Sequence, residues 1–238
     1  LTISPKTINT IEEFDQLINS VVESEPFAID VIKRGESYIN GDIEGLVFSN
    51  KSAEAWFLNI GDPVMAIHRP KIFQQLQVLI ESPIIIKVVY DWKHLLQLLS
   101  NEGITAGNNI LDVMLAAHLV ESDERDYSLG GIALRQLQLT KKYFIPIKKN
   151  KPEKLQHVLE SESDYFKSYC ESSGFLWHLY DRLFQQLNQT GMLNTYHYVE
   201  IRLATVLASM EQSGVNINAK TKPINIAVTE TATVIRVA

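Results

Sequence analysis

Asp30 is the one charge in an otherwise apolar run, Phe27-Ala28-Ile29-Asp30-Val31-Ile32, and that isolation makes it the first candidate for chemistry. The run follows Pro26 and predicts a short buried strand. A carboxylate placed there needs a hydrogen-bond partner or a cation. Residues two apart on a strand share a face, so Asp30 lies beside Ile32, a hydrocarbon with no lone pair to offer. Farther along, Tyr169 and Ser173 stand four apart in YCESSGFLWHLYDRL, on one face of a predicted helix. Glu171 points about 200° away from Tyr169 on that helix. Asp91 precedes another predicted helix, where it can act as N-cap, and Lys93 and Leu95 follow it. His94, His118 and His157 are scattered with no metal-ligand spacing. The single cysteine, Cys170, excludes an intrachain disulfide and a cysteine-rich zinc site, and fits a reducing compartment.

The elements that must position these residues follow from periodicity. Ile11, Phe14, Leu17, Ile18 and Val21 recur at helical spacing, with Thr10 and Glu13 in capping-box positions. Strands are predicted at 27–32, 43–49 and 55–60, and their short links suggest an antiparallel meander. A helix over 70–81 opens on Pro70. Residues 84–90 (IIIKVVY) are nearly unbroken and mostly β-branched, which predicts a central strand buried on both faces. Helices are expected at 91–100, 113–120, 128–137, 162–188 and 196–212, with a last strand near 109–112 and Gly214 as a C-cap. The order implies an α/β protein with a mixed central sheet flanked by helices.

The 238 residues are 45% hydrophobic and 21% charged, an ordinary globular balance. A net charge of −6 argues against a domain whose main task is gripping phosphates. The stretch 141–154 (KKYFIPIKKNKPEK) nevertheless holds six of the 22 basic residues, Lys148, Lys149 and Lys151 among them. Basic residues mixed with aromatic ones suit single-stranded nucleic acid, although charge runs are more often solvated surface. The longest apolar run is too short to span a membrane, and a secretory signal is not evident. The expectation is a cytoplasmic protein.

Taken in order, FAIDVIKRG (27–35), GLVFS (45–49), KVVYDWKHLLQLLSNEGI (87–104), LDVMLAAHLV (111–120), SLGGIALRQL (128–137) and YCESSGFLWHLYDRL (169–183) resemble the 3′–5′ exonuclease domain of bacterial family A DNA polymerases, the DNA polymerase I type. EIRLATVLASMEQSGVNIN (200–218) resembles the start of the polymerase region. The resemblance implies a ribonuclease H-like, DnaQ-like exonuclease fold over residues 1–190, a thumb-proximal helix over 191–220, and DNA as the partner in the context of a polymerase. Residues 221–238 do not resemble the long helix that continues the family's chains, which suggests a truncated, frame-shifted or short variant unable to polymerise DNA by itself.

In the active family four carboxylates hold two Mg²⁺ or Mn²⁺ ions about 3.5–4 Å apart, because carboxylate oxygens suit hard cations. Matched residue by residue, Asp30 keeps the first carboxylate, but Ile32 stands at the Glu of the Asp-x-Glu motif. Leu95 stands at the metal-binding Asp of the second motif, where Lys93 is retained. Tyr169 keeps the tyrosine of the third motif, and Ser173 stands at its Asp. One carboxylate of four is too little negative charge to hold two dications, so no metal, cofactor or small-molecule ligand is expected and the exonuclease site is expected to be silent. The resemblance extends to a subset of these polymerases whose exonuclease domain keeps its fold without its ligands. Two other readings stand beside this one: an active metal-dependent 3′–5′ exonuclease using other carboxylates, and a non-catalytic module binding single-stranded DNA or protein. Asp112 is expected to be structural.

Overall fold

Alternation of apolar residues assigns each strand's two faces, and the computed structural model places a helical layer against each. It describes residues 3–23, 26–35, 37–51, 54–139 and 162–214. Strand β1 (Ser4–Ile8) leads into α1 (Ile11–Glu23), followed by β2 (Phe27–Arg34), β3 (Asp42–Ser49) and β4 (Glu54–Asn59). A short turn of helix, α2 (Pro63–Ala66), and α3 (Arg69–Glu81) precede β5 (Lys87–Val89) and α4 (Trp92–Ser100). Then come β6 (Ile110–Asp112), α5 (Val113–Val120), α6 (Leu129–Leu137), α7 (Glu162–Gly174) and α8 (Leu176–Gln189). A helical turn at Leu193–Thr195 and a π-helical turn at Tyr196–Glu200 lead into α9 (Ile201–Ser213).

The strands form one mixed sheet in the order β1-β4-β3-β2-β5-β6. The β2-β3-β4 segment is the expected antiparallel meander, while β5 and β6 join β2 in parallel. β1 was not expected: its pattern SPKTI buries only Ile8, so it lacks alternation, and it pairs in parallel with β4.

On one face of the sheet, Phe27, Ile29, Phe48 and Val89 pack with α1, α3 and α4. On the other, Ala28, Ile32, Val47 and Val88 pack with α5, α6, α8 and Cys170 of α7. At the start of α1 the Thr10 hydroxyl accepts from the Glu13 N–H at 3.2 Å, and Glu13 accepts from the Asn9 N–H at 2.7 Å. This closes the N-terminal turn as the capping-box spacing predicts.

Two expectations are corrected. The strand expected over 84–90 is paired only from Lys87 to Val89, and Ile84 is 86% exposed. The Ser82 hydroxyl accepts from the N–H groups of Ile84 and Ile85, both at 3.3 Å, while Lys87 Nζ donates to the carbonyls of Ser82 and Ile85 at 2.8 Å. Those side-chain bonds hold the segment in a turn and override its β propensity. The helix expected over 162–188 is two helices, α7 and α8. They part at Gly174, where a Cβ would lie 2.6 Å from Ile3 Cδ1, so only glycine permits this close approach to the chain before β1.

Candidate functional site

Three parallel strands deliver one carboxylate each, two of them at the C-terminal strand ends, the edge where open α/β sheets usually place ligands, and the third in mid-strand on β2. Asp30 is on β2, Asp91 directly follows β5 after Tyr90, and Asp112 ends β6. Their environments differ, and with them what each can do.

Asp112 is 1% exposed and spends its lone pairs on the backbone. Its carboxylate accepts from the N–H groups of Trp92 (2.7 Å), Met114 (2.8 Å), Asp91 (3.2 Å) and Leu115 (3.2 Å). One side chain thus caps the N-termini of both α4 and α5, and the Tyr196 hydroxyl donates to its carbonyl at 3.1 Å. Burial pushes the carboxyl up to about 6, the nearby Asp91 charge adds to that, and the backbone donors oppose it. The structural role expected for Asp112 is the one observed.

Asp91 caps α4 from a left-handed conformation, φ 61°, uncommon for a non-glycine residue. Its carboxylate accepts from the His94 N–H at 3.4 Å and pairs with the same residue's Nδ1. The imidazole stacks on Tyr38, ring centroids 4.2 Å apart, and Lys33 Nζ sits 4.7 Å above the Tyr38 ring. Sequence reasoning missed the Tyr38–His94–Asp91 group. Its only sequence signal is the Asp91/His94 spacing, because Tyr38 lies in the loop between β2 and β3.

Asp30 is partly buried on the α5–α8 side of the sheet, and its Oδ1 accepts from the Val31 N–H at 2.8 Å. Burial raises it to about 6, and the Asp91 charge pushes the same way against the Val31 bond. Ile32, on the same side, is fully buried, and the strand bulges just after it, between Ile32 and Lys33.

The other matched positions are scattered among different packing groups. Leu95 is 4% exposed and packs in the α1–α3–α4 core, on the opposite side of the sheet from Ile32. Ser173 is fully buried; the Ser49 hydroxyl donates to its carbonyl at 2.9 Å, and the two hydroxyl oxygens are 3.3 Å apart. Tyr169 is partly buried against the α5–α8 core. Lys93 is ion-paired with Glu211 of α9 at 2.9 Å. Lys148, Lys149 and Lys151 fall outside the described residues, as do residues 215–238.

As a set, these residues do not fit two metal ions. Two of the positions are buried hydrocarbon, the third is a hydroxyl in contact with Ser49, and Asp30 alone contributes charge. Among the described residues no three His, Cys, Asp or Glu side chains converge to hold a cation. No helix among them is long and apolar enough to cross a membrane.

Sheet order and helical layers together define a ribonuclease H-like fold of the DnaQ-like exonuclease kind. Among solved structures, the POL domain of Pol1 from M. smegmatis, in complex with DNA primer-template and dNTP, aligns with a TM-score of 0.71 at 15% identity, over 91% of this chain and 33% of that one. Escherichia coli RNase D, described as an exoribonuclease involved in structured RNA processing, gives 0.65 at 13% identity, over 87% of this chain and 51% of its own. Brucella melitensis NrnC with bound Mg²⁺ gives 0.64 at 13% identity, over 95% of this chain and 100% of its own. The chain therefore spans a third of the Pol1 chain, about half of RNase D and the whole of NrnC. No protein-family model and no curated protein matches the sequence.

Proposed function

We propose that this chain is a catalytically silent 3′–5′ exonuclease-like domain that serves as a scaffold within a DNA polymerase I-type protein of the cytoplasm. The observation that carries the reading is the donor set, in which Ile32, Leu95 and Ser173 stand at three of four ligand positions and all are buried. Restoring a cation would mean desolvating it beside hydrocarbon with one carboxylate to offset the cost. Residues 1–190 form the exonuclease-like domain in this reading, 191–220 begin the polymerase region, and 221–238 are an atypical tail. Its partner is DNA, reached through the polymerase. The test is nucleotide release from single-stranded DNA in Mg²⁺ or Mn²⁺. None is expected, and hydrolysis that disappears in Asp30→Ala contradicts the proposal.

One observation favours an active metal-dependent exonuclease instead. Asp30, in the middle of β2, and Asp91, which follows the adjacent parallel strand β5, are close enough for the charge of Asp91 to raise Asp30. Calorimetric titration with Mn²⁺ separates the readings. The silent domain gives no heat of specific binding, while the active one binds Mn²⁺ and loses it in both Asp30→Asn and Asp91→Asn.

A further inference from the structure

Asn40 and Gly41 form the one Asn-Gly step in the sequence, in the loop between β2 and β3. The turn before it is closed by the Ser37 hydroxyl, which accepts from the N–H groups of Ile39 (3.1 Å) and Asn40 (3.4 Å). After it, Asn101 Nδ2 donates to the Gly41 carbonyl at 3.1 Å. Gly41 is buried, and a Cβ there would overlap the Ser37 carbonyl oxygen and lie 2.9 Å from Leu98 Cδ2. Packing therefore demands glycine at 41. Nothing comparable fixes the side chain of Asn40. It is exposed, and among the described residues its amide makes no hydrogen bond, nor does the Gly41 N–H.

An electrophile and a nucleophile thus stand free on adjacent residues. A bond from the Gly41 nitrogen to the side-chain carbonyl carbon of Asn40 closes a five-membered ring. Glycine presents that nitrogen with no side chain in the way, and asparagine is among the chemically labile residues of proteins. Asn50, ten residues on, shows the opposite arrangement. Its Oδ1 accepts from the Glu54 N–H and its Nδ2 donates to Glu54 Oε2, both at 3.2 Å, and Lys51 follows it.

We propose that Asn40 and Gly41 are a self-modification site, where asparagine converts to aspartate and isoaspartate with water as the only co-reactant. The Gly41 nitrogen attacks Asn40 Cγ. The N–Cγ bond forms, the Cγ–Nδ2 bond breaks, and ammonia leaves carrying the Gly41 amide proton. Water then opens the succinimide. Attack at Cγ leaves aspartate at position 40, and attack at the main-chain carbonyl carbon leaves isoaspartate, with one more methylene in the backbone. Both products add a negative charge two residues before Asp42, which Arg69 holds together with Glu102. The isoaspartate also lengthens the chain between Tyr38 and the wedged Gly41, so it is the form that shifts Tyr38 from its stack on His94.

The experiment ages the full 238-residue chain in mildly alkaline buffer and follows its tryptic peptide 35–51 by mass spectrometry, which registers NH2 replaced by OH. The same peptide carries Asn50 as an internal control. Asn40 is expected to convert roughly tenfold or more faster than Asn50, because glycine leaves its nitrogen unobstructed. Isoaspartate is expected beside aspartate among the products. Asn40→Gln is expected to lose the conversion, since its longer side chain would have to close a six-membered ring. The His94 ring protons lie over the Tyr38 ring, which shifts their magnetic resonance upfield. That shift is expected to shrink in the isoaspartate form and to persist in Asn40→Asp, which carries the charge without the extra methylene. Conversion of Asn40 no faster than that of Asn50 overturns the proposal, and so does conversion that continues at position 40 in Asn40→Gln. An isoaspartate form with an unmoved His94 signal overturns the displacement of Tyr38.

Discussion

At Asp30 the protein keeps a carboxylate where its surroundings favour a carboxylic acid. Burial and the Asp91 charge raise its pKa from 3.8 to about 6. In the unfolded chain the group ionises near 3.8, whereas in the folded protein it holds its proton to about 6. The folded state therefore binds more protons across that window, and stability falls as pH rises through it. Asp30→Asn removes the ionisation while its amide oxygen can still accept from the Val31 N–H. The variant is expected to be more stable at pH 7 by on the order of 1 kcal/mol, a value discounted for the partial exposure of the group. That corresponds to a rise in Tm of about 2–4 °C for a chain of this size. The gain should vanish at pH near 4, and melts of both proteins across pH 4–7 check it. Ile32 predicts the opposite sign. Ile32→Glu would bury an unpaired carboxylate in the α5–α8 core, where Ile32 is fully buried, and should cost about 3 kcal/mol or more. Urea unfolding measures that loss, and an unchanged midpoint would mean the site opens easily to charge.

Elements were legible where one face dominates the pattern. The helix at 11–23 and the β2-β3-β4 meander announce themselves by period, and the Thr10/Glu13 cap by spacing. What was not legible is decided by contacts between distant segments. The β-branched run before β5 reads as strand, yet the Ser82 hydroxyl and buried Lys87 turn it, and burial lowers that lysine to about 8. At Gly174, where the two helices part, it is Ile3, more than 150 residues away in sequence, that leaves no room for a Cβ. In the same way, the structural role expected for Asp112 does not disclose its bond to Trp92, which ties α4 to the same carboxylate as α5 and needs the fold to be seen. Asp112→Ala should leave four backbone N–H groups without an acceptor and cost about 2–4 kcal/mol. Hydrogen exchange should then quicken at the first turns of both α4 and α5. Faster exchange confined to α5 would show that Asp112 does not support α4.

Across the whole molecule, architecture and chemistry are separable. The sheet and its two helical layers depend on hydrophobic pattern and capping, and neither needs a cation. The neighbours NrnC, RNase D and Pol1 share that frame at 13–15% identity, so the fold persists while most side chains change. The site was legible in the sequence only through the family resemblance, which singled out Ile32, Leu95 and Ser173. Nothing in the sequence placed Leu95 on the other side of the sheet from Ile32, or Ser173 against Ser49. The proposal that this frame performs no phosphodiester hydrolysis is tested most directly by the time course of nucleotide release from a labelled single-stranded DNA in Mg²⁺ and in Mn²⁺, run beside Asp30→Ala. The expected result is release at the no-enzyme rate for both proteins, and metal-dependent release by the natural sequence alone would contradict it.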